Sequence, residues 1–375
     1  MPELVLLTEQ LLAPVPGGTG RYTRELAVAL AATAPDGWHV TGVTARHREP
    51  LAAVVDGVGG PRPLVLPRRA LTLAWERGVP FWPGGDIVHA PTPLAPASPR
   101  RGRGLVVTVH DTVPFTHPET LTPRGAAWHQ AVIRRATVRA DAIVVPTAAV
   151  AAELDQYAPG PAQVHVVGHG VSAALDAPEA AIVAKVATKL SLPESYVLAV
   201  GTVEPRKGLD VLIEAMAAPT APDLPLVVAG PPGWGAVDLR ALADRYGLAQ
   251  DRLHLLGRIT DVELAVVLHR AAVLAAPSQA EGFGLPVLEA MAAGVPVVHS
   301  DAPALVEVAG GAGVLARRND PIGLSRALRG VIDASETTAA MIDRARTRAA
   351  TFTWAKAAIS LWELHLRIAA AKRGE

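Results

Sequence analysis

Short, uninterrupted apolar runs alternate along the chain with longer stretches in which apolar residues recur every three or four positions. The first set of short runs reads as strands at Leu4–Leu7, His39–Thr44, Ile87–His89, Leu105–Val109, Ala142–Val145 and Val164–Val167. A second set follows at Tyr196–Val200, Leu226–Ala229, Leu253–Leu256, Val273–Ala275 and Val295–His299. Most lack polar alternation, as suits parallel strands covered on both faces. The Ala-rich amphipathic stretches between them, about 10–15 residues each, supply the covering helices. The pattern therefore predicts βαβ units in open, doubly wound α/β sheets. The strand series pauses at 171–194, where a helical run, Ala180–Leu190, leads into Leu192-Pro193-Glu194. Two domains are expected, 1–178 and 179–355. A last amphipathic run from Thr353 to Lys372 predicts a tail helix, assigned to 356–375.

Composition bounds what such a chain can do. Its 375 residues fit two domains of about 150 each. Half are hydrophobic and 19% charged, enough to fill real cores. Cysteine is absent, which excludes disulfides, thiol nucleophiles, Cys-ligated zinc and iron–sulfur clusters. Thirty-five basic residues balance 35 acidic ones, which argues against nucleic acid as a partner. The balance is local only in part: Arg46 to Arg139 holds 13 Arg against 6 Asp plus Glu. Arg100, Arg101, Arg103, Arg134, Arg135 and Arg139 concentrate the excess. They read either as a solvated face or as a dock for an anionic or lipid-linked acceptor at a membrane surface. Met1–Leu12 has no Lys or Arg and carries Glu3 and Glu9, so it does not read as a signal peptide. The longest apolar candidate, Val262–Ala276, is broken by Glu263, His269 and Arg270. A cytoplasmic protein, at most peripheral on the inner face of a membrane, is expected.

Open α/β sheets bind ligands outside the carboxyl ends of their strands, so the chemistry is sought in the loops there. After the first strand comes Pro16-Gly17-Gly18-Thr19-Gly20-Arg21, with a helix expected over Tyr22–Ala32. Glycines admit a ligand close to the backbone, and a helix N-terminus favours an anion. The spacing is neither Gly-x-Gly-x-x-Gly nor a P-loop, which excludes a Rossmann dehydrogenase. Next, Val107-Thr108-Val109-His110-Asp111 ends a strand in two groups able to bind hydroxyls or move protons. An ordinary capped strand end is the alternative. No other His or carboxylate stands near them at a metal-ligand spacing. His165 and His169 are four apart but lie in strand and turn, so they read as structural.

Gly201-Thr202-Val203-Glu204-Pro205-Arg206-Lys207-Gly208 opens the second series and sets two cations beside a helix expected to begin near Leu209. Lys207 is one of only five lysines, against 30 arginines. The most specific stretch is Ser278-Gln279-Ala280-Glu281-Gly282-Phe283-Gly284-Leu285-Pro286-Val287-Leu288-Glu289-Ala290-Met291. Pro286 suits a first helical turn. Glu289 has no Lys or Arg three or four positions away, so its carboxylate should accept hydrogen bonds from another source, such as ligand hydroxyls. The amides of Gly284 and Leu285 would at the same time face an anion at the helix start.

Together these loops resemble the family 4 retaining glycosyltransferases, and Glu281 to Val298 resembles that family's signature EGFGLPxLEAMAxGxPVV. The resemblance covers nearly the whole chain in the right order. It implies the GT-B fold: two Rossmann-like domains facing a central cleft, with a C-terminal helix crossing back to the first. It further implies a nucleotide-diphosphate sugar held mainly by the second domain, with no cofactor and no metal. Arg206 and Lys207 would hold the diphosphate and stabilise the leaving group. Glu281 would bind donor-sugar hydroxyls, helped by Gly282, Phe283 and Gly284, with Gly201, Thr202 and Leu285 completing the donor loops. Glu289 would bind the ribose, and Arg258 and Ile259 would line the nucleobase. Gly17 and Gly18 would approach the diphosphate on closure, and His110 would contact the donor sugar. Asp111 is kept as an assisting group. The segments resembling bacterial mannosyl- and rhamnosyltransferases favour mannose from GDP-mannose, with UDP- and dTDP-sugars as the other donors. Acceptors would be saccharides, glycolipids or small molecules. Many members carry Asn where this chain has Gly208.

Two other classes fit the same loops. A nucleotide-sugar epimerase would return an isomerised nucleotide sugar, whereas a transferase releases free nucleotide. A non-catalytic nucleotide-sugar binding protein would bind without turnover.

Overall fold

A computed structural model describes residues 1–79, 81–235 and 237–374; the last residue of the expected tail, Glu375, lies outside them. The chain divides into two compact units. The first comprises Met1–Pro118, Thr122–Gly170 and Thr353–Glu375, and the second Val171–Phe352 with Glu119–Leu121.

The first unit holds β1 (Glu3–Leu7), β2 (His39–Arg46), β3 (Gly59–Pro67), β4 (Ile87–Ala90), β5 (Gly104–Thr108), β6 (Ala142–Val145) and β7 (Gln163–Val166). They form a parallel sheet in the order β3-β2-β1-β4-β5-β6-β7. Alternate residues feed two cores, which is why these strands read as continuous apolar runs. Leu4, Leu6, Ile87, Val106 and Val144 pack on one side with Leu26, Leu30, Leu361 and Trp362. Val5, Leu7, Val88, Val107 and Ile143 pack on the other with Leu71, Ile133 and Leu154. The carboxy-terminal helix Trp354–Gly374 belongs to this unit. Trp362 Nε1 donates to the Leu30 carbonyl at 3.0 Å, and Lys372 pairs with Asp141 at 3.0 Å.

The second unit holds β8 (Val197–Val200), β9 (Leu226–Ala229), β10 (Leu253–Gly257), β11 (Val273–Ala276), β12 (Val297–Ser300) and β13 (Val314–Ala316). Its order is β10-β9-β8-β11-β12-β13, again parallel. The succession reverses between β8 and β11, and between β1 and β4 in the first sheet. Such reversals splay the following loops apart and open a crevice at the strand carboxyl ends. The loops after β8 and β11 are Gly201–Gly208 and Pro277–Gly284, the stretches singled out in the sequence.

Four expectations are corrected. β3 is absent from the expected strands because it carries Pro61, Pro63 and Pro67; it survives because an edge strand needs fewer amide donors. β13 is only three residues long, too short for a periodicity to show. The helix after the glycine loop starts at Gly17, not Tyr22: burial of Tyr22, Leu26 and Leu30 along one stripe carries the glycines into its first turn. The domain boundaries also shift. Leu175 packs against Leu264 and Ala265, so 171–178 belongs with the second unit, while Trp354 joins the core of the first. Among the described residues no helix is long and apolar enough to cross a membrane.

Candidate active site

In the second unit, Pro205–Lys207 form a single 3-10 turn that ends at Gly208 and leads directly into the helix Leu209–Ala217. Gly208 is left-handed at φ +63, and a Cβ there would stand 2.4 Å from the Pro277 carbonyl oxygen. The left-handed conformation alone would admit asparagine as well, but the close Pro277 carbonyl leaves room only for glycine in this structure. Gly208→Ala is expected to cost about 1–3 kcal/mol, from the left-handed penalty and the backbone contact together. A thermal melt showing an unchanged midpoint would contradict this.

The second loop closes on the first. Gln279 N donates to the Arg206 carbonyl at 2.7 Å, and Arg318 holds the loop from the far side, bonding Gln279 O at 3.0 Å and Asp301 Oδ1 at 2.7 Å. Glu281 is thereby set between both cations. Lys207 Nζ donates to Oε1 at 2.5 Å and Arg206 Nη1 to Oε2 at 3.0 Å, while Ser278 Oγ donates to Oε1 at 2.8 Å. Arg206 Nε also pairs with Glu204 at 2.7 Å. The side chains of Lys207 and Glu281 are 14% and 11% exposed, so these pairs lie largely out of water. Burial alone would push the Glu281 carboxyl up; Lys207 and Arg206 outweigh it and hold it at about 2. Burial, then the Arg206 charge, lower Lys207, and Glu281 opposes them. The four charged groups sum to zero. An arriving anion therefore competes with two carboxylates for the cations.

A small pocket opens beside this cluster, lined by Gly201, Lys207, Ser278, Glu281, Gly284 and Leu305, among others. Gly284, at φ +89, caps the helix Leu285–Ala293. Gly282 is buried, and Phe283 packs edge-on to Phe352 at 5.7 Å, so its side chain serves the core and leaves its backbone to the loop. Leu285 is half-buried. Glu289 is buried at 3% exposure within that helix, and it is not among the pocket's lining residues. Thr202 lies half-buried between Gly201 and Val203, whose amide bonds the Pro231 carbonyl at 2.9 Å. Arg258 is exposed after β10, and Ile259 packs against Leu175, Leu264 and Ala265.

His110 and Asp111 follow β5 in the first unit. His110 Nε2 lies 2.8 Å from the Pro91 carbonyl and so carries the proton, leaving Nδ1 as the acceptor of a neutral ring. Burial lowers its pKa, against the Pro91 bond and the Asp111 charge. Asp111 Oδ1 accepts from Val113 N at 3.2 Å, the geometry of a strand-end cap. Gly17 and Gly18 are exposed at the first helical turn. Arg103 pairs with Asp86, Arg135 donates to the Trp75 carbonyl, and Arg134 lies over the Phe115 ring, so much of the Arg excess is spent on structure. Arg100, Arg101 and Arg139 are exposed.

Sequence reasoning passed over Ser278 and Glu204, which orient Glu281 and Arg206; their spacings of three and two residues from those partners were the available signal. It also passed over Gly230, where a Cβ would lie 1.8 Å from Gly201 O, so no side chain fits between the ends of β8 and β9. His169, read as structural, packs against Tyr22 at 4.7 Å and His110 at 5.9 Å. Among the described residues no group of three His, Asp or Glu converges as a metal site.

Comparison with known proteins follows the same division. The family model described as Glycosyl transferases group 1 matches residues 184–348, and Glycosyltransferase Family 4 matches residues 16–175. The O-antigen chain mannosyltransferase B of Escherichia coli is 40% identical over 34% of this chain and 34% of its own. A D-inositol 3-phosphate glycosyltransferase of Salinispora tropica is 29% identical over 93% of this chain and 80% of its own. The chain thus spans only about a third of the first relative's length. In structure, the sucrose-phosphate synthase of Thermosynechococcus elongatus superposes with a TM-score of 0.76 at 23% identity, covering 99% of this chain and 100% of that one. With two parallel-sheet units, both loops in place and both family models matched in order, the chain belongs to the family 4 glycosyltransferases of the GT-B fold.

Proposed function

We propose that the protein transfers a hexose, with mannose favoured, from a nucleotide-diphosphate sugar to a saccharide, glycolipid or small-molecule acceptor. The reading assigns retention of anomeric configuration and no metal requirement. One observation carries it: Arg206 and Lys207 sit on one turn ahead of a helix, joined by the single carboxylate of Glu281. The helix start and two cations favour a diphosphate, and as the sugar–phosphate bond breaks the same cations meet the growing charge. The carbon–oxygen bond to phosphate breaks while the acceptor oxygen bonds the same carbon, and the leaving phosphate takes the acceptor's proton. The protein then contributes position and charge stabilisation. Glu281, committed to two cations and a serine, suits binding sugar hydroxyls better than nucleophilic attack. Glu289 would take the ribose, Arg258 and Ile259 the base, Gly201, Thr202 and the 282–285 backbone the donor, and Gly17, Gly18 and His110 the donor from the first unit. Asp111 would assist. The mannosyltransferase relative favours mannose as the sugar, and GDP-mannose is the donor we propose. Exposed Arg100, Arg101 and Arg139 would meet an anionic or lipid-linked acceptor.

Thermal shift with GDP-mannose, UDP-glucose and dTDP-rhamnose tests the donor, because a ligand bound to the native state raises the melting point by mass action. GDP-mannose is expected to give the largest rise, with release of GDP on adding acceptor that persists in EDTA. A larger rise with another donor overturns mannose, and loss of turnover in EDTA overturns metal independence.

A further inference from the structure

Alternation along the first sheet sends Ile87 and His89 of β4, and Val106 and Thr108 of β5, to one face. That face is covered by Gly17–Ala32, whose inner stripe includes Tyr22, Leu26 and Leu30, and by Trp354–Gly374, whose inner stripe includes Trp354, Ala358, Leu361 and His365. The two histidines are 0% exposed in otherwise apolar surroundings. They form a chain. His365 Nε2 lies 3.1 Å from His89 Nδ1, His89 Nε2 lies 2.9 Å from Thr108 Oγ1, and Thr108 Oγ1 lies 3.2 Å from the Tyr22 hydroxyl.

Only one proton arrangement leaves the N–H of both histidine rings satisfied. His365 Nδ1 is buried and has no hydrogen-bond partner among the described residues. A buried lone pair without a donor is tolerated more readily than a buried N–H without an acceptor, so Nδ1 is the bare nitrogen. His365 Nε2–H then donates to His89 Nδ1, and His89 Nε2–H donates to Thr108. Burial keeps both rings neutral, pushing His89 down to about 3 and His365 well below its ordinary value. At its far end the chain holds Tyr22, whose ring meets His110 edge-on at 4.6 Å and 85° and His169 at 4.7 Å. His169 stacks in turn on Trp354, at 5.7 Å and 13°. Of these four rings only His110 is more than slightly exposed.

We propose that His365 is a positioning residue for His110, acting through His89, Thr108 and Tyr22, so that docking of the carboxy-terminal helix sets the ring presented beside β5. This rests on His110 as a donor-sugar contact. Packing alone does not require the histidine, since a leucine fits an apolar helical stripe and carries no desolvation cost. What the histidine adds is a donor to His89 Nδ1: without it that nitrogen stands bare in the core and the His89 ring loses the contact that fixes it from the side of the last helix.

His365→Gln keeps a nitrogen donor toward His89, and His365→Leu removes it. In the full-length protein labelled with ¹⁵N-histidine, the His110 ring signals are expected to shift in His365→Leu and to stay as in the wild type in His365→Gln. With GDP-mannose as donor, kcat is expected to fall about 10- to 100-fold in the leucine variant, with KM little changed, and to recover in the glutamine variant. Should His365→Leu fail to fold, Thr108→Val cuts the same chain from the middle and is expected to give the same shift. His110 signals unmoved in the leucine or valine variant, or equally moved in the glutamine variant, would overturn the proposal. A wild type that does not turn over GDP-mannose counts against the donor reading, and the ring signals still decide this one.

Discussion

Lys207→Ala is expected to weaken binding of GDP by about 10- to 100-fold. A charge-assisted hydrogen bond of the kind an ammonium makes to phosphate contributes about 1.5–3 kcal/mol, and each 1.4 kcal/mol is about tenfold in affinity. Lys207 is well placed to make it: it sits at the mouth of a helix, lines the pocket and is nearly buried, so its charge is little screened by salt. The fold should survive, because Glu281 keeps Arg206 and Ser278 as partners. Calorimetry with GDP measures the effect directly. An unchanged affinity would remove Lys207 from the diphosphate site.

Glu281→Gln is expected to act in two opposite directions. Removing one partner of a buried pair leaves the others uncompensated and costs about 3–5 kcal/mol. Here the loss should fall toward the lower end, because Arg206 retains Glu204. Yet the same change shifts the charge of the cluster from zero to plus one, so free GDP should bind more tightly than to the wild type. Sugar turnover should collapse, since the carboxylate assigned to the hydroxyls is gone. The pH dependence has a definite sign. A carboxyl held at about 2 in the native state, below its unfolded value of about 4.3, stabilises fully above that unfolded value. That stability is lost as pH falls through the native value. The wild type should therefore lose stability across that interval, and the glutamine variant should lack this component. Weaker GDP binding in Glu281→Gln would show that the carboxylate does not compete with the anion for the cations.

Much of the architecture was readable because the relevant forces are local. Continuous apolar runs such as Ala142–Val145 reveal strands covered on both faces, and the β8 and β11 loops carry their glycines and charges in the sequence itself. What failed failed for physical reasons. Three prolines disguised an edge strand at Gly59–Pro67. Burial of one stripe drew Gly18 and Gly20 into a helix that their own propensity does not favour. His89 and His365 stand 276 positions apart, and only packing makes them a pair.

The sequence by itself determined the α/β class, the two strand series, the cationic turn at Arg206-Lys207 and the glutamate loop, because periodicity, glycine placement and charge are written residue by residue. Only the tertiary structure decided that Glu281 closes on both cations, that their charges cancel with Glu204, and that the last helix completes the first unit. Those are outcomes of long-range packing, where a side chain's partner is chosen by which surfaces burial brings together and not by its neighbours along the chain.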